Sequence, residues 1–456
     1  MRNVFLLVLG CWLLLVADSG FCTEEKVIRL KEAVDVALRD NHLLRAERSA
    51  VEAGRQEIGL AASGMGPIVT IEERYLRTAN PTYGFMAKLN QQRFTVADFR
   101  IDSLNHPNPA NDFQTSLAVE KPLFARQVQI GEEMAGKEAE AMAWQFQRSR
   151  EEIAMEVVKA YLAVRTGREF VVAASKGVED AAEHVRIAEM RHDNGLGLYS
   201  DILRAKTAQT AAEQRLVSAG KNHDVARRGL GLLLGVNEPV GVGDEEIDLP
   251  VRDLVAWQEA AAGRHDILAM EARRQVARKG LDLAGAGFLP TIGVGGSYQF
   301  NDHENFFGGE GESWQLAAIA RWQLYDGGRR QYEKAKARYR ITESDEYLAG
   351  LKKRVDFAVY EAYRGVEESG KNLELAEAAL ATAEEGQRLV RVRYENSLSQ
   401  LVDLLHAQAA LDQARAMAVA GRNDHLVARA LLSCQGGMIL RDLGVAEEIN
   451  EANNGR

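Results

Sequence analysis

The chain has 456 residues, with 56 Lys+Arg against 66 Asp+Glu and a formal charge of -10. That acidity lacks the basic footprint of a nucleic-acid-binding protein. A mean hydropathy of -0.26 with 27% charged residues excludes a bundle of membrane-spanning helices.

The first feature in chain order is an apolar run from Val4 to Ala17, preceded by Arg2. It is too short to span a bilayer comfortably and right for the core of a secretory signal. Residues 1–22 are therefore expected to be a signal peptide, cut after Ser19 or after Cys22. Cys22 also offers a lipidation site, although Phe21 stands where lipoprotein signals want Gly or Ala. With only Cys11 and Cys434 besides, no disulfide framework can be drawn.

Two strands are predicted next, over 68–76 and 113–124. In the second, Phe113, Thr115, Leu117 and Val119 alternate with Gln114, Ser116, Ala118 and Glu120, the two-residue period of a strand. The first is weaker, because Glu72-Glu73-Arg74 interrupts it. A long helix follows over 127–191, then a turn at Asn194-Gly195-Leu196-Gly197, then a returning helix over 200–234. No proline lies between Pro122 and Pro239 or after Pro290. Since proline breaks helix interiors, both stretches are free to be helical.

The chain then repeats. Pro67 matches Pro290, His42 matches His265 and Ala46 matches Ala269 at an offset of 223. Ala160-Tyr161 matches Ala362-Tyr363, and Asp201-x-Leu203-x-Ala205 matches Asp403-x-Leu405-x-Ala407, at 202. One loop is simply longer in the first copy. The second copy predicts strands over 291–300 and 313–325, and helices over 329–393 and 400–432, turning at Asn396-Ser397-Leu398. Its strand-connecting loop, with Gly308-Gly309-Glu310-Gly311-Glu312, is mobile by composition. The first repeat is assigned to 23–248, the second to 249–436, and 437–456 is expected to be a polar C-terminal tail.

Each long helix would run about 100 Å, far beyond the needs of one domain. Val157, Val164, Val171, Val178 and Val185 fall at steps of seven, as do Val359, Val366, Leu373 and Leu380, a series that ends at polar Gln387. A strict seven-residue apolar step winds helices left-handed around one another. The fold class is thus mainly α with a small β part: two β-β-α-α units with long coiled-coil hairpins. Ten-residue strands with apolar-out, polar-in alternation also carry the signature of a membrane barrel, though a soluble antiparallel sheet alternates likewise. Four strands cannot close a barrel alone, since small barrels need about eight.

These features resemble the TolC-type outer membrane efflux family from about Leu30 to Gly436. The marks are Leu30-x-Glu32-Ala33 with Arg39-x-Asn41, Trp322-x-Leu324-Tyr325-Asp326-Gly327-Gly328, and the returning helices entered through Tyr199-Ser200-Asp201 and Leu401-Val402-Asp403. The resemblance implies a homotrimer whose twelve strands close one transmembrane β-barrel in the outer membrane lipid, above an α-helical barrel in the periplasm. It implies an exit duct for an efflux pump or type I secretion system, working with a periplasmic adaptor (membrane fusion) protein and an inner-membrane transporter. By the same match, the adaptor-contacting tip would comprise Asn194, Gly195, Leu196, Asn396, Ser397 and Leu398. The periplasmic gate would comprise Asp201, Asp403, Tyr394 and His406. His406 stands where the family has a second acid, and Ser399 where it has a latch arginine. A ring of three carboxylates attracts cations, while an acid in a first helical turn is also favoured by the macrodipole alone.

Nothing in the sequence points to catalysis, a cofactor or a metal. Gly229-x-Gly231 and Gly293-x-Gly295-Gly296 lack the Lys-Ser/Thr of a phosphate loop. His184 and His192 bring no third ligand at zinc spacing. The rival reading is a periplasmic coiled-coil adaptor or scaffold. Adaptors usually carry one hairpin flanked by compact β-domains, whereas this chain carries two hairpins, each preceded by strands.

Overall fold

The computed structural model describes residues 27–445; the expected signal peptide and Cys22 lie outside them. The first copy runs Val27–Ile28 (β1), Leu30–Asp40 (α1), His42–Ser63 (α2), Ile68–Thr78 (β2), Pro81–Asn90 (α3), Ile101–Asn105 (α4), Ala110–Phe124 (β3), Arg126–Asp193 (α5) and Tyr199–Leu233 (α6). The second runs Gly241–Val242 (β4), Leu254–Ala261 (α7), His265–Ala286 (α8), Thr291–Asp302 (β5), Gly311–Arg321 (β6), Arg329–Glu395 (α9) and Leu401–Gln435 (α10), closing with Ile439–Asp442 (α11). α2 and α8 are offset by 223 at both ends, and α5 and α9 end 202 apart.

α5 and α9 extend for 68 and 67 residues because nothing in them breaks a helix and each has a partner to pack on. α5 pairs with α6, and α9 with α10, as two hairpins. The apolar step of seven faces this seam: Val157, Val164, Val185 and Val359 are buried. The second series does not end at Gln387 as expected. Gln387 is buried, and the series continues to buried Tyr394. The Gln387 amide is admitted because its Nε2 donates to Gln408 Oε1 at 3.0 Å.

β2, β3, β5 and β6 form one antiparallel sheet in that order, so β2 and β6 are open edges. The last pair of β5 with β6 is Thr291 with Arg321. β6 stops there, short of the expected 325, because Pro290 carries no N–H for the next rung. Two loops depart further from expectation. The long loop after β2 holds α3, α4 and a 3-10 turn over Val96–Phe99. The loop expected to be mobile is shortened to 303–310, and its polar groups are tied down.

The main core lies where the two copies meet, midway along the hairpins. Ile28, Ala33, Val34 and Ala37 pack there against Val157, Tyr161, Leu230 and Ile439. The expected polar tail therefore begins with a buried segment, α11, whose Asp442 pairs with Arg252 at 2.6 Å. Equivalent positions close each copy with different chemistry: Asn41 Nδ2 donates to Leu233 O at 3.1 Å within the first, and Arg264 Nη1 to Gln435 O at 3.0 Å within the second. Buried Arg148 and Glu151 pair at 2.8 Å, Glu151 reaches His265 Nδ1 at 2.6 Å, and Arg148 Nη1 donates to Cys434 O at 3.1 Å. Burial pushes the Cys434 thiol up.

Candidate gate, tip and membrane face

The two hairpin turns are built alike. Asn194 Nδ2 donates to Met190 O at 2.7 Å, and Asn396 Nδ2 to Val392 O at 2.8 Å, each a second donor to a carbonyl that also accepts the asparagine's own N–H. Leu196 N donates to Arg191 O and Leu398 N to Arg393 O, both at 2.8 Å, closing the helix ends with a left-handed residue between. In the first copy that residue is Gly195 at φ 72°; in the second it is Ser397 at φ 62°. Leu196 and Leu398 stand exposed at the tip.

Of the four expected gate residues, the structure brings Asp201 and Tyr394 together. Burial holds the Tyr394 hydroxyl above its usual range; the Arg191 guanidinium pulls against that shift and the Asp201 carboxylate adds to it. Tyr394 packs with Val185, Ile202, Leu401 and Leu404 in a small apolar cluster shared by both hairpins. Asp403 and His406 lie apart on the exposed side of α10. Asp403 Oδ2 accepts from Gln400 N at 3.1 Å, so this acid caps its own helix.

The residue that joins the two turns was not singled out in the sequence. Arg191 Nη1 donates to Tyr394 O at 2.7 Å and Ser397 Oγ at 3.2 Å, while its Nη2 donates to Leu196 O at 3.2 Å. Its guanidinium lies 4.7 Å from the centre of the Tyr394 ring. A signal was present, since Arg191-x-x-Asn194 matches Arg393-x-x-Asn396 at the same offset. Arg393, by contrast, reaches only its own turn, at Leu398 O.

Further from the tip, the seam between hairpins is polar. Gln408 Nε2 donates to Asp180 Oδ2 at 3.2 Å and Asp412 Oδ1 at 2.9 Å; Arg415 pairs with Asp180 at 2.8 Å and Arg215 with Asp412 at 3.1 Å. His184, on the same stretch of α5, is buried with no partner for Nδ1. Burial pulls its imidazole below the usual range.

The sheet sorts its residues by face, because residues opposite one another across a rung share a face. One face carries Val69, Ile71 and Tyr75 of β2, Phe113, Leu117 and Val119 of β3, Val294, Tyr298 and Phe300 of β5, and Trp314, Leu316 and Ala318 of β6. The other carries Gln114, Ser116, Ser297, Gln299, Ser313 and Gln315. Glu72 and Arg74, which spoiled the strand pattern, sit on this polar face; of the three, Glu73 is on the apolar one. No helix among the described residues is long and apolar enough to cross a membrane.

A four-stranded sheet with one apolar face and open edges, continued by two helical hairpins of some 100 Å, defines a component of an envelope-spanning duct. The profile of outer membrane efflux proteins matches residues 33–236 and 256–433, and the chain belongs to that family. Its members are transport ducts, so the chain is not an enzyme, and the adaptor or scaffold reading is set aside. It is 26% identical to Protein CyaE of Bordetella pertussis over 393 residues, covering 84% of this chain and 78% of that one. It is 22% identical to the outer membrane efflux protein BepC of Brucella suis over 435 residues, covering 91% and 87%. The outer membrane protein VceC of Vibrio cholerae shares the fold with a TM-score of 0.73 at 16% identity, over 91% of this chain and 96% of VceC.

Proposed function

We propose that three copies of this chain close a twelve-stranded barrel in the outer membrane and continue it as a helical duct through the periplasm. The carrying observation is the sheet: one face apolar, the other polar, both edges unpaired. Strand edges exposed in this way demand a partner, and a barrel supplies one without leaving an edge. Trp314 and Trp322, both strongly exposed, bracket the apolar face eight residues apart. At about 3.3 Å per residue that is roughly 26 Å, close to the ~25 Å apolar band of such barrels. A second unpartnered surface on α9, with Tyr332, Tyr339, Tyr347 and Phe357 all exposed, is where a neighbouring copy would pack.

In this arrangement the tip residues Asn194, Gly195, Leu196, Asn396, Ser397 and Leu398 meet the helical hairpin of a periplasmic adaptor serving an inner-membrane transporter. Asp201, Tyr394 and Arg191 form the inner constriction, and Asp403 and His406 line its approach. The Ser397 side chain narrows what the second turn can accept compared with Gly195. The repeats take 23–248 and 249–436. Envelope fractionation tests the reading: a heat-modifiable trimer in the outer membrane is expected, and a soluble monomer would overturn it.

A further inference from the structure

Three carboxylates, Glu73, Asp302 and Glu312, stand toward one end of the apolar face of the sheet, and a loop covers Glu73. The loop over 303–310 between β5 and β6 folds down over the apolar side. Phe306 packs on Phe113 at 4.8 Å between ring centres, and Phe113 packs on Tyr75 at 4.7 Å, both on that face. Phe307 N donates to Glu73 Oε1 at 3.5 Å, and Thr115 Oγ1 donates to Glu73 Oε2.

Several of the loop's polar groups are bonded within it or to Asp302 at its root. Glu304 N and Asn305 N both donate to Asp302 Oδ1 at 2.8 Å. Gly308 N donates to Asn305 O at 3.1 Å, and His303 N to Glu310 Oε2 at 3.2 Å. His303 Nδ1 and Glu310 Oε2 lie 2.7 Å apart. Such bonds suit a loop set beside lipid, where unmet backbone groups cost several kcal/mol. Its exposed residues include Glu304, Asn305 and Glu310, and two large aromatics: Phe306 and Phe307 are 62% and 69% exposed. They continue the aromatic row formed by Tyr298, Phe300 and Trp314 at one end of the apolar face. The long loop after β2 goes the other way. Gln91 Nε2 donates to Asp112 Oδ1 at 2.9 Å, on the polar face.

From these contacts we infer that the 303–310 loop is a membrane anchor. It inserts Phe306 and Phe307 at the boundary between headgroups and acyl chains, with Glu73 as the positioning residue that holds it down. The occupant of this surface is bilayer lipid. The inference rests on the barrel reading above and deepens it.

The test places a nitroxide at Phe307→Cys in the full chain, with Cys22 replaced by serine; buried Cys434 stays unlabelled. The trimer is reconstituted in vesicles of phosphatidylethanolamine and phosphatidylglycerol. Relaxation by dissolved oxygen is compared with relaxation by a water-soluble nickel chelate. A label at Leu316→Cys, mid-face, reports the barrel itself. The expected result is oxygen-dominated relaxation at both sites, deeper at 316. Nickel-dominated relaxation at 307 with a lipid-facing 316 would overturn the anchor alone. Nickel-dominated relaxation at both would overturn the barrel reading beneath it. Phe306→Cys serves as the second site should the 307 variant assemble poorly. Glu73→Ala should release the 307 label into water, whereas Glu73→Gln, whose amide oxygen still accepts, should hold it; an unmoved label in Glu73→Ala removes Glu73 from the anchor.

Discussion

Replacing Arg191 by alanine should open the duct at its tip. Arg191 donates across from one turn to the other, to Tyr394 O at 2.7 Å and Ser397 Oγ at 3.2 Å. Hydrogen bonds from a charged donor contribute about 1.5–3 kcal/mol net. The guanidinium is half-buried, so the low end applies, and the pair is taken as roughly 2 kcal/mol. Stacking on Tyr394 adds about 0.5–1 kcal/mol. The sum, near 3 kcal/mol per subunit, shifts the parting of the hairpins by roughly two powers of ten, at 1.4 kcal/mol per tenfold. Purified Arg191→Ala protein in a planar bilayer should therefore show higher conductance and longer open times than wild type. Arg191→Lys, which keeps the charge but not the planar fork, should fall between. Closed-state conductance indistinguishable from wild type, in a variant still trimeric, would refute the argument.

Asp403→Asn separates capping from gating, since the Asn amide oxygen can still accept from Gln400 N: helicity should be nearly unchanged while block by divalent cations weakens, and unchanged block would remove Asp403 from the gate. Glu151→Ala strands buried Arg148 and should cost about 3–5 kcal/mol, read as a drop in the melting temperature of the reconstituted protein; a change within error would show that Glu152 and the Cys434 carbonyl suffice for Arg148. His184 gives a pH dependence. Its folded pKa lies below the unfolded 6.5, so the unfolded chain binds the extra proton first. The His184 contribution is intact above about pH 6.5 and is lost as pH falls from there toward the folded pKa. Protease sensitivity of the hairpins should rise over that window in wild type and stay flat in His184→Gln.

Much of the architecture was legible because duplication writes each element twice. The offsets of 223 and 202 carry α2 onto α8 and the hairpin ends onto each other, and a seven-residue apolar step is hard to read as anything but paired long helices. What was not legible depends on contacts across sequence distance. Glu73 looked like a flaw in its strand, because its caps, Thr115 and Phe307, are 42 and 234 residues away. Gln387 looked like the end of a stripe, because its partner sits on the returning helix. The loop over 303–310 looked mobile from its glycines. Yet Gly308 is there because a side chain would collide with Asp302, which organises the turn.

The two turns show what duplication leaves open. Duplication alone would give two equal turns, each closed on itself, with nothing joining them. Arg393 behaves in that way, reaching only Leu398 O. Its counterpart Arg191 has swung across, and the acceptors it finds are a backbone carbonyl and Ser397 Oγ. Ser397 is also the residue that pays for a left-handed backbone, at about 1–2 kcal/mol for a side chain other than glycine. That strain is offset only while Arg191 is bound to it. The serine at the second turn and the crossing of Arg191 thus belong to one arrangement. Ser397→Gly tests it: relief of strain and loss of the Arg191 acceptor oppose each other. The tip should stay nearly as stable in that variant, whereas Ser397→Ala, which keeps the strain and loses the acceptor, should open more readily.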